Sequence, residues 1–206
     1  MPRLKVCGIN DAAFAVEAAR RGVDYLGLIF AAKSPRCVSV EAARRIVDAV
    51  RASAADLPRF VGVFVRHSAS DIAEIASSVK LDVAQLHGEY TAEDVAFLKS
   101  RGHEVWLLQS QDAAANTAAD AVLLDGRDGA RCGGTGMRAD WSLVGELKRA
   151  NRRVVLAGGL SSANIADAAA TGADVLDVNS SIETSPGVKS LELLDGLLGA
   201  LQAHFS

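Results

Sequence analysis

Short apolar runs alternate with longer stretches of helical period along the whole chain. Eight runs stand out, at 4–7, 25–30, 60–65, 83–86, 105–108, 122–124, 154–157 and 175–178. Most are too short and too continuously apolar for a one-sided antiparallel sheet, and they predict parallel strands buried on both faces. Between them, apolar positions recur at helical spacing, and the ends carry start and stop residues. Asp11 is placed to cap a helix bearing Phe14, Ala15, Ala18 and Ala19, which Gly22 ends. Ser39 precedes 40–51, with Ile46, Val47 and Val50 on one face, and Ser70 precedes Ile72, Ile75, Ala76 and Val79. Thr91 leads Val95 and Leu98 to a stop at Gly102, and Asp140 leads Leu143, Val144 and Leu147. Ser161 or Ser162 opens a helix that Gly172 closes, and 191–202 is the last helix. The polar starts satisfy free backbone N–H groups, and glycine takes the left-handed conformation at the ends. The segment 109–117 predicts a degenerate helix or a loop.

Eight strands, each followed by a helix or its remnant, predict one closed (βα)8 barrel over residues 1–206. The rival is an open doubly wound sheet, which usually has fewer strands at this length. A chain of 206 residues is enough for one domain with a full core. Gly22-Val23-Asp24-Tyr25-Leu26 echoes Gly172-Ala173-Asp174-Val175-Leu176, an echo that turn chemistry alone would explain.

Composition narrows the function. Half the residues are apolar but only 5% are aromatic, so the core is built from Ala, Val, Leu and Ile. A net charge of −3 gives no footprint for nucleic acid, and no basic run suggests a membrane surface. No apolar stretch resembles a secretory signal or nears the roughly 20 residues of a membrane span. Three cysteines without a CxxC pair fit a reduced, cytoplasmic setting. Four scattered histidines give no metal-ligand spacing. Gly133-Gly134-Thr135-Gly136 lacks the Lys-Ser/Thr of a nucleotide loop, so a nucleotide P-loop is not expected. Monomer and homodimer both suit a barrel of this size.

In such barrels the reacting groups gather at the C-terminal strand ends. Cys7 ends the first strand; it is either a small buried hydrophobe or a thiol whose thiolate a nearby cation favours. Asp125 ends the sixth; it either makes a turn or is a carboxyl partly withdrawn from water and suited to donate a proton. Arg36, in Ser34-Pro35-Arg36 after the second strand, is either solvated or a two-pronged clamp for a carboxylate. Gly158-Gly159 and Asp177-Val178-Asn179-Ser180-Ser181 end the last two strands. Loops there often hold a phosphate on backbone N–H groups, although a strand-to-helix turn also asks for glycine. His87 suits a hydrogen-bonded structural role, and Cys37 and Cys132 sit in loops as incidental thiols.

The motifs Lys5-Val6-Cys7-Gly8-Ile9, Gly27-Leu28-Ile29-Phe30, Ser34-Pro35-Arg36, Val61-Gly62-Val63-Phe64 and Gln85-Leu86-His87-Gly88 are followed by Leu123-Leu124-Asp125 and Gly133-Gly134-Thr135-Gly136. Then come Asp140-Trp141, Leu156-Ala157-Gly158-Gly159-Leu160 and Pro186-Gly187-Val188-Lys189. This ordered set closely resembles the phosphoribosylanthranilate isomerases of tryptophan biosynthesis over nearly the whole chain. The resemblance implies a (βα)8 barrel and an Amadori rearrangement of a phosphosugar–anthranilate substrate, without metal or cofactor. It implies Asp125 as general acid at the furanose oxygen and Cys7 as general base at C2′. It also implies Arg36 for the anthranilate carboxylate, Gly158, Gly159, Ser180 and Ser181 for the phosphate, and Asp177 near the sugar hydroxyls. The chain departs from the family pattern at Arg138-Ala139, at Ser190 where Asp is usual, and at Asn179 where many members have Ser. Two other functions remain in view. A lyase or synthase barrel would want a lysine near a strand end, whereas Lys33 and Lys80 lie in loops. A non-catalytic sensor would bind sugar phosphates without converting them.

Overall fold

The computed structural model describes residues 1–53, 56–109, 113–126 and 141–205. Eight parallel strands, β1 (Arg3–Cys7), β2 (Tyr25–Ile29), β3 (Arg59–Val65), β4 (Val83–His87), β5 (Glu104–Leu108), β6 (Ala121–Asp125), β7 (Val154–Ala157) and β8 (Val175–Val178), pair in chain order. β8 then returns to β1, with Lys5 opposite Asp177, and closes the barrel. Around it lie α1 (Ala12–Arg20), α2 (Val40–Ser53), α3 (Ala69–Val79), α4 (Ala92–Ser100), α5 (Ala113–Ala118), α6 (Ser142–Arg149), α7 (Ile165–Ala170) and α8 (Leu191–Ala203). A 3₁₀ turn (Ser180–Ile182) and a small hairpin, β9 (Glu183–Ser185) with β10 (Val188–Lys189), follow β8.

The strand positions match the apolar runs to within a residue or two, because one run makes one strand buried on both faces. The caps act as their chemistry requires. Asp11 Oδ2 accepts from Phe14 N at 2.8 Å, and Thr91 and Asp94 form a reciprocal capping box. Ser190 caps α8 by accepting from Leu193 N, work that an aspartate would do equally. Two helix starts differ from expectation. Ser68, not Ser70, caps α3, and Ser70 falls inside the first turn with its hydroxyl on that of Ser68. α7 begins at Ile165, because Asn164 Oδ1 accepts from Ser161 N and holds both serines in a turn before it. The degenerate fifth helix is real but has six residues. Asp140 lies outside the described residues.

The bore is filled by Tyr25, Val61, Val83, Trp106, Leu123, Val155 and Val175, while the outward strand residues pack beneath the helices. At the floor, Glu104 accepts from Trp106 Nε1, Arg59 and Arg153, each at 2.6 Å, and Arg153 also donates to the Tyr25 hydroxyl. This charged plug seals the end away from the strand termini that carry chemistry.

The sequence echo has a mechanical cause. Asp24 Oδ2 accepts from Leu4 N, and Asp174 Oδ2 accepts from Val154 N, both at 2.8 Å. The same device recurs with Asp82 on Phe60 N and Asp120 on Val105 N. In all four, the aspartate's own N–H donates back to the carbonyl of the residue it holds. Every even strand is thereby latched to the start of the odd strand before it. A charge-assisted bond of this kind contributes about 1.5–3 kcal/mol. Asp82→Ala should therefore lower stability by about that much, read from the urea unfolding midpoint. An unchanged midpoint would show the latch to be ornamental.

Candidate active site

The C-terminal strand ends surround a cavity of about 250 Å³. Cys7, Asp125, Arg36, Gly158, Gly159, Asp177 and Ser180 all line it. Tertiary structure thus brings seven of the eight residues singled out from sequence to one place. Ser181 is the exception. It is not part of the lining, and its hydroxyl is buried without a hydrogen-bond partner. Cys132 and the Gly133–Gly136 run lie outside the described residues.

Cys7 points into the bore beside Ile29 and Val63 and is buried. Two residues earlier on the same strand face, Lys5 is fully buried, and its ammonium meets Asp177 Oδ2 at 2.6 Å. Gly27 on β2 makes room for both, since a Cβ there would stand 3.0 Å from Cys7 Sγ and 3.2 Å from Lys5 Cε. Burial pushes the Cys7 thiol above its ordinary range; Lys5 works against that push, and the Asp177 carboxylate adds to it. Burial also opposes the charge on Lys5, yet Asp177 and Cys7 more than offset this and hold the ammonium protonated.

Arg36 is positioned by its loop and by the hairpin after β8. Ser34 Oγ accepts from Arg36 N, and the stem of Arg36 lies where a side chain on Gly8 would be, 2.6 Å from the missing Cβ. Its Nε and Nη2 donate to the two oxygens of Glu183 at 2.7 and 2.6 Å. The two-pronged edge expected for a ligand carboxylate is therefore already occupied, which leaves Nη1 outside the fork. Lys189 joins the same carboxylate at 2.9 Å and donates to the backbone and side-chain oxygens of Asn179. Burial works to raise the Glu183 carboxyl, but the bonds from Arg36 and Lys189 prevail and hold it down at about 2.

On the other wall, Asp125 is half-buried at the end of β6 and paired in register with Ala157. Gly158 has φ +91°, and a Cβ on it would fall 2.3 Å from Gly126 N and 2.9 Å from Asp125 Oδ1. The turn requirement for glycine is thus real at Gly158, because β6 and its acid occupy the space. Gly159, at φ +70°, continues the open backbone toward Leu160. Asp177 Oδ1 and Gln85 Oε1, both on lining residues, are buried without partners. Sequence reading assigned no role to Lys5, Gln85, Glu183 or Lys189. The first two read as interior strand residues. The last two lie in a hairpin whose docking no local pattern reveals.

A thiol and a carboxyl opening into one cavity at the strand ends define a barrel of the enzyme class. The family model described as N-(5'phosphoribosyl)anthranilate (PRA) isomerase matches residues 4–199, and the chain belongs to that family. An N-(5'-phosphoribosyl)anthranilate isomerase from Pseudomonas paraeruginosa is 37% identical, with 98% of this chain and 96% of that one aligned. Among solved structures, the phosphoribosyl anthranilate isomerase of Thermus thermophilus superposes with a TM-score of 0.84 at 32% identity, covering 98% of both chains. A solved complex of the isomerase with reduced 1-(o-carboxyphenylamino)-1-deoxyribulose 5-phosphate gives 0.80 at 29% identity, over 98% of this chain and 100% of that one.

The Glu183 clamp has an acid limb. Its carboxyl is held below the ordinary 4.5, so its contribution to stability is full above that pH and is lost as pH falls through about 2. The gap in urea midpoint between the native chain and Glu183→Gln should be widest above pH 5 and close toward pH 2. A gap constant with pH would show that the clamp carries no charge.

Proposed function

We propose that this chain converts N-(5′-phosphoribosyl)anthranilate into 1-(2-carboxyphenylamino)-1-deoxyribulose 5-phosphate, with Asp125 as acid and Cys7 as base. The observation that carries the assignment of roles is that both groups, from strands β6 and β1, line one cavity. The reaction needs one group that starts protonated and another that starts deprotonated. Asp125 gives its proton to the furanose oxygen, the C1′–O bond breaks, and an iminium forms. Cys7, as thiolate, takes the C2′ proton and leaves an enolamine. The enolamine gains a proton at C1′, loses its O2′ hydrogen and becomes the ketone. The positive iminium itself favours a thiolate beside it.

The remaining lining residues fit the substrate's parts. Gly158, Gly159 and Ser180 stand at the ends of β7 and β8, where such barrels hold phosphate. Ser181 follows Ser180 in the same turn, and its unpartnered hydroxyl suits the same phosphate. The unpartnered acceptors Asp177 Oδ1 and Gln85 Oε1 suit the sugar hydroxyls. Arg36, held by Glu183, offers Nη1 to the anthranilate carboxylate. Lys5 lies inside the bore two residues short of the end of β1 and does not line the cavity, which disfavours the lyase or synthase alternative. A cytoplasmic setting is in keeping with the unpaired Cys7 and Cys37, and among the described residues no helix is long and apolar enough to cross a membrane.

Anthranilate fluorescence follows turnover directly. Cys7→Ser and Asp125→Asn should each lower kcat by about 10²–10⁴, while an unreactive substrate analogue still binds. Near-native turnover in either variant would remove that residue from its role. No turnover by the native chain with fresh substrate would favour a sensor.

A further inference from the structure

We infer that Lys5 is a positioning residue: the counter-ion that lets the buried Cys7 lose its proton, held in reach of the sulfur by Asp177. The inference rests on Cys7 being the base. A thiol this deep in an apolar bore ionises only beside a cation. Three cations approach it, and the structure distinguishes them. Arg36 spends its fork on Glu183, and Lys189 spends its ammonium on Glu183 and Asn179. Lys5 is the cation packed with the thiol against Gly27, where a Cβ would stand 3.0 Å from Cys7 Sγ and 3.2 Å from Lys5 Cε.

The surroundings fit this role better than a purely structural one. Lys5 is fully buried, and it lies beneath Cys7 in space that Gly27 leaves vacant. A buried ion pair seldom adds net stability over an apolar pair of the same volume, so stability alone gives little reason for a charged Lys5–Asp177 pair. The charged and titratable groups around the cavity that the thiol lines are Lys5 on its own strand, Arg36 after β2, His87 on β4, Asp125 on β6, Asp177 on β8, and Lys189 with Glu183 from the hairpin. Asp177 opposes the thiolate by its charge yet anchors the ammonium at 2.6 Å, and so sets how much positive charge the sulfur feels. The proton released by Cys7 passes to water through the open mouth. The thiolate stays paired with Lys5 until it takes the C2′ proton and becomes a thiol again.

The ¹³Cβ resonance of Cys7, assigned by its loss in Cys7→Ser, reports ionisation without a reagent entering the cavity. Lys5→Met should raise its titration midpoint by at least one pH unit, leaving about tenfold less thiolate near neutrality. Asp177→Asn should lower the midpoint, since the anion leaves and the ammonium stays. The acid limb of kcat should follow both shifts, with KM little changed in Lys5→Met. A folded Lys5→Met chain with the native midpoint overturns the proposal, even where Cys7→Ser is inactive. If instead Cys7→Ser keeps its turnover while the midpoints move as stated, the base assignment fails and the counter-ion stands. Should Lys5→Met not fold, Lys5→Met/Asp177→Asn buries no lone charge and is held to a midpoint above that of Asp177→Asn. In the native chain, the ¹⁵Nζ resonance of Lys5 must move with the ionisation of Cys7; one that stays flat through it overturns the proposal as well.

Discussion

The pairing of β8 with β1 closes the barrel, and the ion pair of Lys5 with Asp177 lies in that seam. The two residues are 172 positions apart and meet only because the first and last strands share a register. Closure removes both sheet edges, so every strand is buried on two sides and continuously apolar runs become tolerable. It also brings a charged floor under the cavity from opposite ends of the chain. Burial opposes each charge, and each partner offsets that cost for the other. Cys7, two residues above Lys5, inherits its electrostatic surroundings from this seam.

The two ends of the barrel divide the work. At the floor, Glu104 gathers two arginines and the Trp106 indole, and four aspartate latches hold strand pairs in register. At the mouth, the loops are free to vary and the chemistry collects. Close backbone approach places it. Gly8 makes way for the stem of Arg36, Gly158 for Asp125, and Gly187 for Pro35, which docks the hairpin on the arginine loop. One wall is thus clamped by charge and the other by glycine packing, with Cys7 on the first and Asp125 on the second.

Much of this was legible in the residues. The period of each apolar run gives strand or helix and the faces that are buried, because side-chain direction alternates in one and turns by 100° in the other. Asp11 and Thr91 mark helix starts because their oxygens satisfy free N–H groups within three residues, a wholly local matter. The same locality explains the failures at Ser70 and Ser161, where a neighbouring polar residue competed for the same backbone. Cys7 and Asp125 were visible because each ends an apolar strand, and in a parallel barrel all such ends share one mouth.

The sequence by itself determined the elements, their order, and which residues stand at strand ends. Those properties depend on neighbours within a turn or a strand, and the matching of β1 to β8 follows from their number. Only the tertiary structure decided that Lys5 faces Asp177, that Glu183 occupies the fork of Arg36, and that Ser181 stays out of the cavity lining. Each of these depends on which distant groups compete for one charge or one small volume. Buried charges choose partners by distance and desolvation, and neither quantity exists until the ring is closed.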